Sequence, residues 1–479
     1  MSTYNNKYDI LASTIAPNPA SVKYWADLAS NPNGGDLKYF DGKEWKYVNK
    51  QATIEINDIP NAESFYSYGV SWQTGSLNAT LARIGNLDLH RTLPIQNKMR
   101  GCTLADDGTV NHYFKDDWSA NEDGTPIKKD GSDGMVMIEI PEFYVKCQSK
   151  NGIDSMSISE YALDGYTLVK KQYVSAYEAT VDRTKSDTLK LASVVNTTAN
   201  FRGGNNDASR DEAENTQLGM PLTATSRANF RKYARNRAAG SKWNMLDFFA
   251  TNTIWLLYSI EYANWNSQLA FNEKLSNDGF KQGGLGSGVT NVTGSDWGTF
   301  NNYYPIIPCG TSDALGNKTG EVEYTLPSTF KPDNAVKVSR YRGIENPFGH
   351  IWKNVDGIIF DIKTDSDGGT STIYLAKTEA DYGDTVTEGF SELGQLPRKG
   401  VTISDTYLGT FIPSEATGAS STTGRCDNFE TNIASSSLRT LFYGGHASRS
   451  AAAGLGSCSS YYTVGGSPAD SGSRLVYRP

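Results

Sequence analysis

The stretch LRTLFYGGHASRSAAAGLGSCSSYYTVGGSPADSGSRLVYRP, residues 438–479, constrains the architecture more than any other part of the chain. Small residues dominate it, with Tyr443, His446, Arg449, Tyr461, Tyr462 and Asp470 set among Gly, Ser and Ala. A loose Gly/Ser tail would look similar, but this one closes on Leu475, Val476, Tyr477 and Arg478. That apolar alternation reads as a strand pinned into a sheet. Between Phe442 and Arg474 there is no Lys, Glu, Gln, Met or Trp. Those are the residue types that mutating the adenines of an asparagine AAY codon cannot produce. Tyr, His, Ser, Asp, Gly, Ala, Arg and Cys are all reachable from AAY, and they fill the segment.

A chain of 479 residues exceeds one ordinary core and is expected to divide into several domains. A net charge of −8 without a basic cluster argues against phosphate-led nucleic-acid binding. Without a long apolar run, no membrane insertion is expected. The start, MSTYNNKYDI, lacks a basic region followed by an apolar core, so no signal peptide is read and synthesis in a cytoplasm is expected. Cys102, Cys147, Cys309, Cys426 and Cys458 are scattered, without CxxC spacing, and are expected to be buried and reduced. His90, His112, His350 and His446 share no helix face. No metal site and no cofactor are expected.

Residues 1–50 read as a small docking module. A short helix is expected over 21–28, capped by Ser21 with Trp25 and Leu28 inward, then a hairpin turning at Asp41 and Gly42. A β-rich unit comes next over 51–134, with strands at 53–56, 66–72 and 82–87. The acidic turns at 106–108 and 121–124 lack the spaced oxygens of a calcium loop. The main domain spans 135–479. It opens on an apolar strand with a bend at Pro141 and continues with a strand pair over 166–178. Two helices come next. One is capped by Ser226 and stopped by Gly240, and a second, apolar nearly all round and therefore buried, covers 246–264. Residues 266–334 read as loop, the glycines of 283–288 serving tight turns rather than a phosphate cradle. Residues 357–377 read as a hairpin with an acidic tip.

Three segments carry a family resemblance. Gly444-Gly445, Ala453-Gly454-Leu455 and Gly472-Ser473-Arg474-Leu475 resemble the GG…AGL…GxRL skeleton of variable proteins diversified by retroelements. The run RGIENPFGHIWKN, residues 342–354, resembles the G-x-x-N-x-x-G-x-x-W-E-W segment of the formylglycine-generating-enzyme type of C-type lectin fold, with Lys353 and Asn354 where Glu and Trp are commonest. YVSAYEAT, residues 173–180, resembles that fold's opening strand. The resemblance implies an α+β chain whose small N-terminal β-rich modules precede a C-type lectin-like display domain. It further implies a phage tail-fibre receptor-binding protein of the major tropism determinant type. Such a protein sits in the virion, meets other tail proteins through its N-terminal region, forms a homotrimer and binds a glycan or protein of the bacterial surface. The variable face would comprise Tyr443, His446, Ser448, Arg449, Ser450, Ser457, Ser459, Ser460, Tyr461, Tyr462, Ser467, Asp470 and Ser471 as one exposed patch. Trp352, Gly444, Gly445, Ala453, Gly454, Leu455, Gly472 and Arg474 would be its scaffold.

The fold also includes an oxidase, whose paired cysteines in the C-terminal part are not matched here: Cys426 is the nearest cysteine to Cys458. A Ser448, His446, Asp470 assembly has no spacing that fixes a triad. No catalytic residue is assigned. The alternative to the tail-fibre reading is a cellular protein of the same fold, either an oxidase-like enzyme or a non-viral variable ligand binder.

Overall fold

The computed structural model describes residues 10–13, 24–27, 36–40, 43–47, 56–330 and 335–479. The chain is β-rich, with few helices among the described residues. Near the N-terminus Ile10–Ser13, Tyr24–Asp27, Asp36–Phe40 and Trp45–Tyr47 form a four-stranded sheet. The expected hairpin is there, with Phe40 paired to Trp45. The expected helix over 21–28 is not. Tyr24–Asp27 instead pairs parallel with Ile10–Ser13 and antiparallel with Asp36–Phe40, so both its edges are hydrogen-bonded. Trp25 is still buried. Ser21, Leu28 and the Asp41–Gly42 turn lie outside the described residues, as does most of the strand expected at 53–56.

The expected boundary at 134/135 is crossed by backbone pairing in two sheets. Ser67–Gln73 pairs with Ile153–Ser159 in a five-stranded sheet, and Arg100–Leu104 pairs with Met135–Ile140 in a six-stranded one. The stretch 51–134 therefore shares its sheets with strands from beyond residue 134 and is not a separate unit. Pro141 does mark a bend: Met135–Ile140 lies in one sheet and Phe143–Lys150 in the other. The terminal strand Leu475–Tyr477 is held between Gln172–Ser175 and Trp243–Met245.

Helix Arg227–Arg235 is capped by the Ser226 side chain and ends at Asn236, well before Gly240. Helix Phe248–Tyr262 is capped by Asp247, which accepts the Ala250 N–H at 2.9 Å, and nearly all of it is buried. Its apolar circumference suits that position, because sheets and loops surround it and only Phe249 and Asn252 keep contact with water. Residues 266–330 are not all loop: helix Gly294–Asn301 and strand Gly320–Thr325 lie there. Gly283, Gly286 and Gly288 take positive φ in tight turns. Four of the five cysteines are buried; Cys147 is exposed, contrary to expectation, near the outer end of a strand whose last residues face solvent.

The last sheet has seven strands, with Trp352–Ile362 and Ser437–Tyr443 at its centre. Trp352–Ile362 also pairs with Ser371–Ala376, the second half of the expected hairpin. Cys458–Ser460 lies between Ser437–Tyr443 and Phe429–Thr431. Ser471–Gly472 pairs parallel with the start of Trp352–Ile362. The segment after Cys458–Ser460 runs back along Ser437–Tyr443, with the Thr440 N–H donating to the Tyr462 carbonyl at 3.2 Å.

Candidate functional site

Beside the start of the central strand Trp352–Ile362 the chain leaves an open cleft of about 520 Å³, lined by Trp352, Gly400, Glu430, Thr431, His446, Arg449, Ser459, Tyr461, Tyr462 and Asp470. Trp352 begins the central strand and, at 4% exposure, forms part of the floor. His446 and Arg449 come from the turn after strand Ser437–Tyr443, where Gly444 and Gly445 both take positive φ. Ser459 sits on Cys458–Ser460, and Tyr461 and Tyr462 come directly after it. Asp470 is fixed by its carbonyl, which accepts the Trp352 N–H at 2.8 Å.

Aromatic rings run in series across the site. Trp352 lies 6.5 Å from Phe442, Phe442 5.1 Å from Tyr462, and Tyr462 5.4 Å from Tyr461. Tyr461, at 48% exposure, stands at the rim. The Arg449 guanidinium packs over the Trp352 ring at 5.4 Å and forms an ion pair with Glu430. His446 is wedged between Trp297 at 5.5 Å and Trp352 at 5.7 Å. Burial, reinforced by the neighbouring Arg449 charge, pushes its pKa down to about 3, so the ring is neutral. Its Nδ1 accepts the Ser448 N–H at 3.2 Å. The proton therefore sits on Nε2, which faces Asp470 Oδ2 at 3.8 Å, too far for a hydrogen bond. Burial raises the Asp470 carboxyl to about 6.

The structure brings His446, Arg449, Ser459, Tyr461, Tyr462 and Asp470 together. The thirteen candidates do not form one exposed patch, because Tyr443, Ser457, Ser459, Ser460 and Ser471 are buried. Tyr443 and Ser459 lie on strands with neighbours on both edges, and Tyr443 packs edge-on against Phe411 at 5.1 Å. Ser457 anchors the turn by accepting the Gly444 N–H on its carbonyl at 2.7 Å. The Ser460 hydroxyl bonds Thr431 Oγ1 at 2.9 Å, and Ser471 is in the parallel pair with Trp352. Of the rest, Ser448 is half-buried behind His446, Ser450 is exposed and bonds Asn291 at 3.1 Å, and Ser467 is exposed.

The residues expected to be scaffold are buried. Gly454 has φ +150°, and a Cβ there would stand 1.8 Å from Asp427 Oδ1. Leu455 and Ala453 are inside, and Gly472 pairs with Lys353. Arg474 is 2% exposed and donates to the carbonyls of Glu345, Asn346 and Ser175.

Glu430 and Thr431 were not marked as site residues by their sequence. They reach the cleft because Phe429–Thr431 pairs parallel with Cys458–Ser460, a juxtaposition across some thirty residues that no local pattern signals. The Cys426 and Cys458 thiols, which the oxidase reading would need, are in no disulfide and are buried, and burial raises both pKa values. That is the reverse of an activated thiolate. Among the described residues no cluster of His, Cys, Asp and Glu could hold a metal ion, and no helix is long and apolar enough to cross a membrane.

No protein-family model matches the chain, and no curated protein matches it. Among solved structures it is similar to a Major Tropism Determinant U1 variant, at 11% identity over 95% of this chain and 93% of that one. The TM-score is 0.25, a superposition too loose to carry an argument.

Proposed function

We propose that the chain is a phage tail-fibre receptor-binding protein whose C-terminal lectin-type fold displays a diversified face to a bacterial surface receptor, the cleft over Trp352 being the centre of that face. The observation that carries this reading is the convergence of six residues from a segment of AAY-reachable codons on one open cleft, with buried framework residues beneath them. A rigid sheet holding irregular loops lets side chains change without disturbing the core. Tyrosines at a rim offer large contact area at low entropic cost. Virion location, a homotrimer and docking of the N-terminal sheet on other tail proteins belong to the same proposal; avidity from several copies would offset modest affinity at each cleft.

The test is sequencing of the gene's 3′ end across many progeny of one lineage. Variation is expected at His446, Arg449, Tyr461, Tyr462, Ser467 and Asp470, with Gly454, Leu455, Gly472, Arg474 and Trp352 constant. An invariant 3′ end, or variation spread equally over the buried framework, would overturn it.

A further inference from the structure

The charges in the cleft do not balance. Arg449 is matched by Glu430, but Asp470 has no cation of its own. The nearest group is His446 Nε2 at 3.8 Å, on a ring held neutral between two tryptophans. No side chain among the described residues hydrogen-bonds the Asp470 carboxylate, which opens into the cleft beside Tyr462. A carboxylate held mostly out of water, flanked by tyrosine rings and with no cation in contact, has the character of a cation acceptor. Burial raises its pKa although the Arg449 charge in the same cleft pulls the other way.

Hydroxyl-binding groups surround that point. Ser459 Oγ accepts the Tyr461 N–H at 3.2 Å and keeps its own proton to donate. Thr431 Oγ1 accepts from Ser460 at 2.9 Å and is likewise free to donate. The Tyr461 and Tyr462 hydroxyls and the remaining Glu430 oxygen complete a ring of donors and acceptors in a wide, open hollow. A lysine side chain, an ammonium on an apolar stem, would leave most of them unmatched. A sugar ring matches them. Resting on the reading of this cleft as the receptor face, we propose that it binds an amino sugar with a free primary amine, the ammonium seated between Asp470 and the tyrosines and the ring hydroxyls on Ser459, Thr431 and Glu430.

The test is calorimetric titration of the purified full chain at pH 7 with a β-linked glucosamine tetrasaccharide, its fully N-acetylated counterpart, and Nα-acetyl-lysine methylamide. The free-amine saccharide is expected to bind at least ten-fold tighter than the acetylated one. Asp470→Asn should abolish that preference without lowering the melting temperature. If that variant unfolds, Glu430→Gln serves instead: it leaves Arg449 unmatched, and binding of the amine should fall by a similar factor. Equal or tighter binding of the acetylated sugar, binding of the lysine amide as tight as the saccharide, or no binding of any probe would each overturn the proposal. A parallel arm separates the two readings. If particles carrying Tyr461→Ala and Tyr462→Ala still adsorb to cells, the cleft is not the receptor face. If adsorption is lost while the tetrasaccharides fail to bind, only the ligand class is wrong.

Discussion

Tyr443 and Tyr462 show how differently two tyrosines of one segment are used. The Tyr443 hydroxyl is buried with no hydrogen-bond partner, while the ring packs on Phe411. Leaving a hydroxyl unpaired in the interior costs roughly 1–3 kcal/mol, so Tyr443→Phe is expected to hold or raise stability in urea denaturation and leave ligand binding unchanged. Tyr462→Ala should do the reverse, leaving the denaturation midpoint nearly in place and abolishing binding. Gly454 makes a separate residue-scale case. Any Cβ there meets the buried Asp427 carboxylate, and a φ of +150° is one that residues with a Cβ rarely adopt. Gly454→Ala is expected to cost about 1–3 kcal/mol, read from the same urea curves. Sequence could nominate both tyrosines as surface residues but could not separate them. Alternation along Ser437–Tyr443 says that neighbours face opposite ways, not that strands flank the sheet on both edges there.

At the scale of elements, ends were more legible than neighbours. Ser226 as a cap, the bend at Pro141, the hairpin from Trp352–Ile362 to Ser371–Ala376 and the terminal strand all stem from local chemistry, and all are present. Residues 21–28 failed because a short amphipathic run satisfies either a helix turn or a strand, and pairing with distant partners decided it. The Phe248–Tyr262 helix exposes a coupling that local reading misses. Its cap residue Asp247 is fully buried and is held by Arg478, whose Nη2 lies 2.7 Å from Asp247 Oδ1. That pair ties the terminal strand to the start of the central helix. Arg478→Ala strands a buried carboxylate, so a loss of about 3–5 kcal/mol is expected in chemical denaturation. A loss below about 1 kcal/mol would mean that water or Gln172 replaces the guanidinium.

The whole molecule separates acid sensitivity of the fold from that of the cleft. In the core, Glu178 bonds His350 and pairs with Lys353 at 2.9 Å. Burial alone would raise its pKa, but Lys353 and His350 outweigh it and hold the carboxyl at about 2. A carboxyl depressed in the folded state contributes stability that is complete above its ordinary pKa near 4.5 and is lost as pH falls from there towards 2. The fold should therefore keep this contribution at pH 5. Asp470 has the opposite sign: raised to about 6, its ionised form is disfavoured in the free protein, and a bound ammonium would supply the missing partner and release the proton. The Asp470 contribution to cation binding should then grow about ten-fold between pH 5 and 7, the change in the ionised fraction of a carboxyl titrating near 6. A sugar-ring amine itself loses protons towards pH 7, so the amine saccharide is titrated into the wild-type chain and Asp470→Asn at both pH values, with circular dichroism on the same samples, and the ratio of the two affinities is compared. A ratio that does not change with pH would remove Asp470 from the site. A parallel loss of binding and secondary structure at pH 5 would place the sensitivity in the core instead. The expected result, the Asp470 contribution lost on an unchanged fold, would make the cleft responsive to acid at a pH where the sheets beneath it are not.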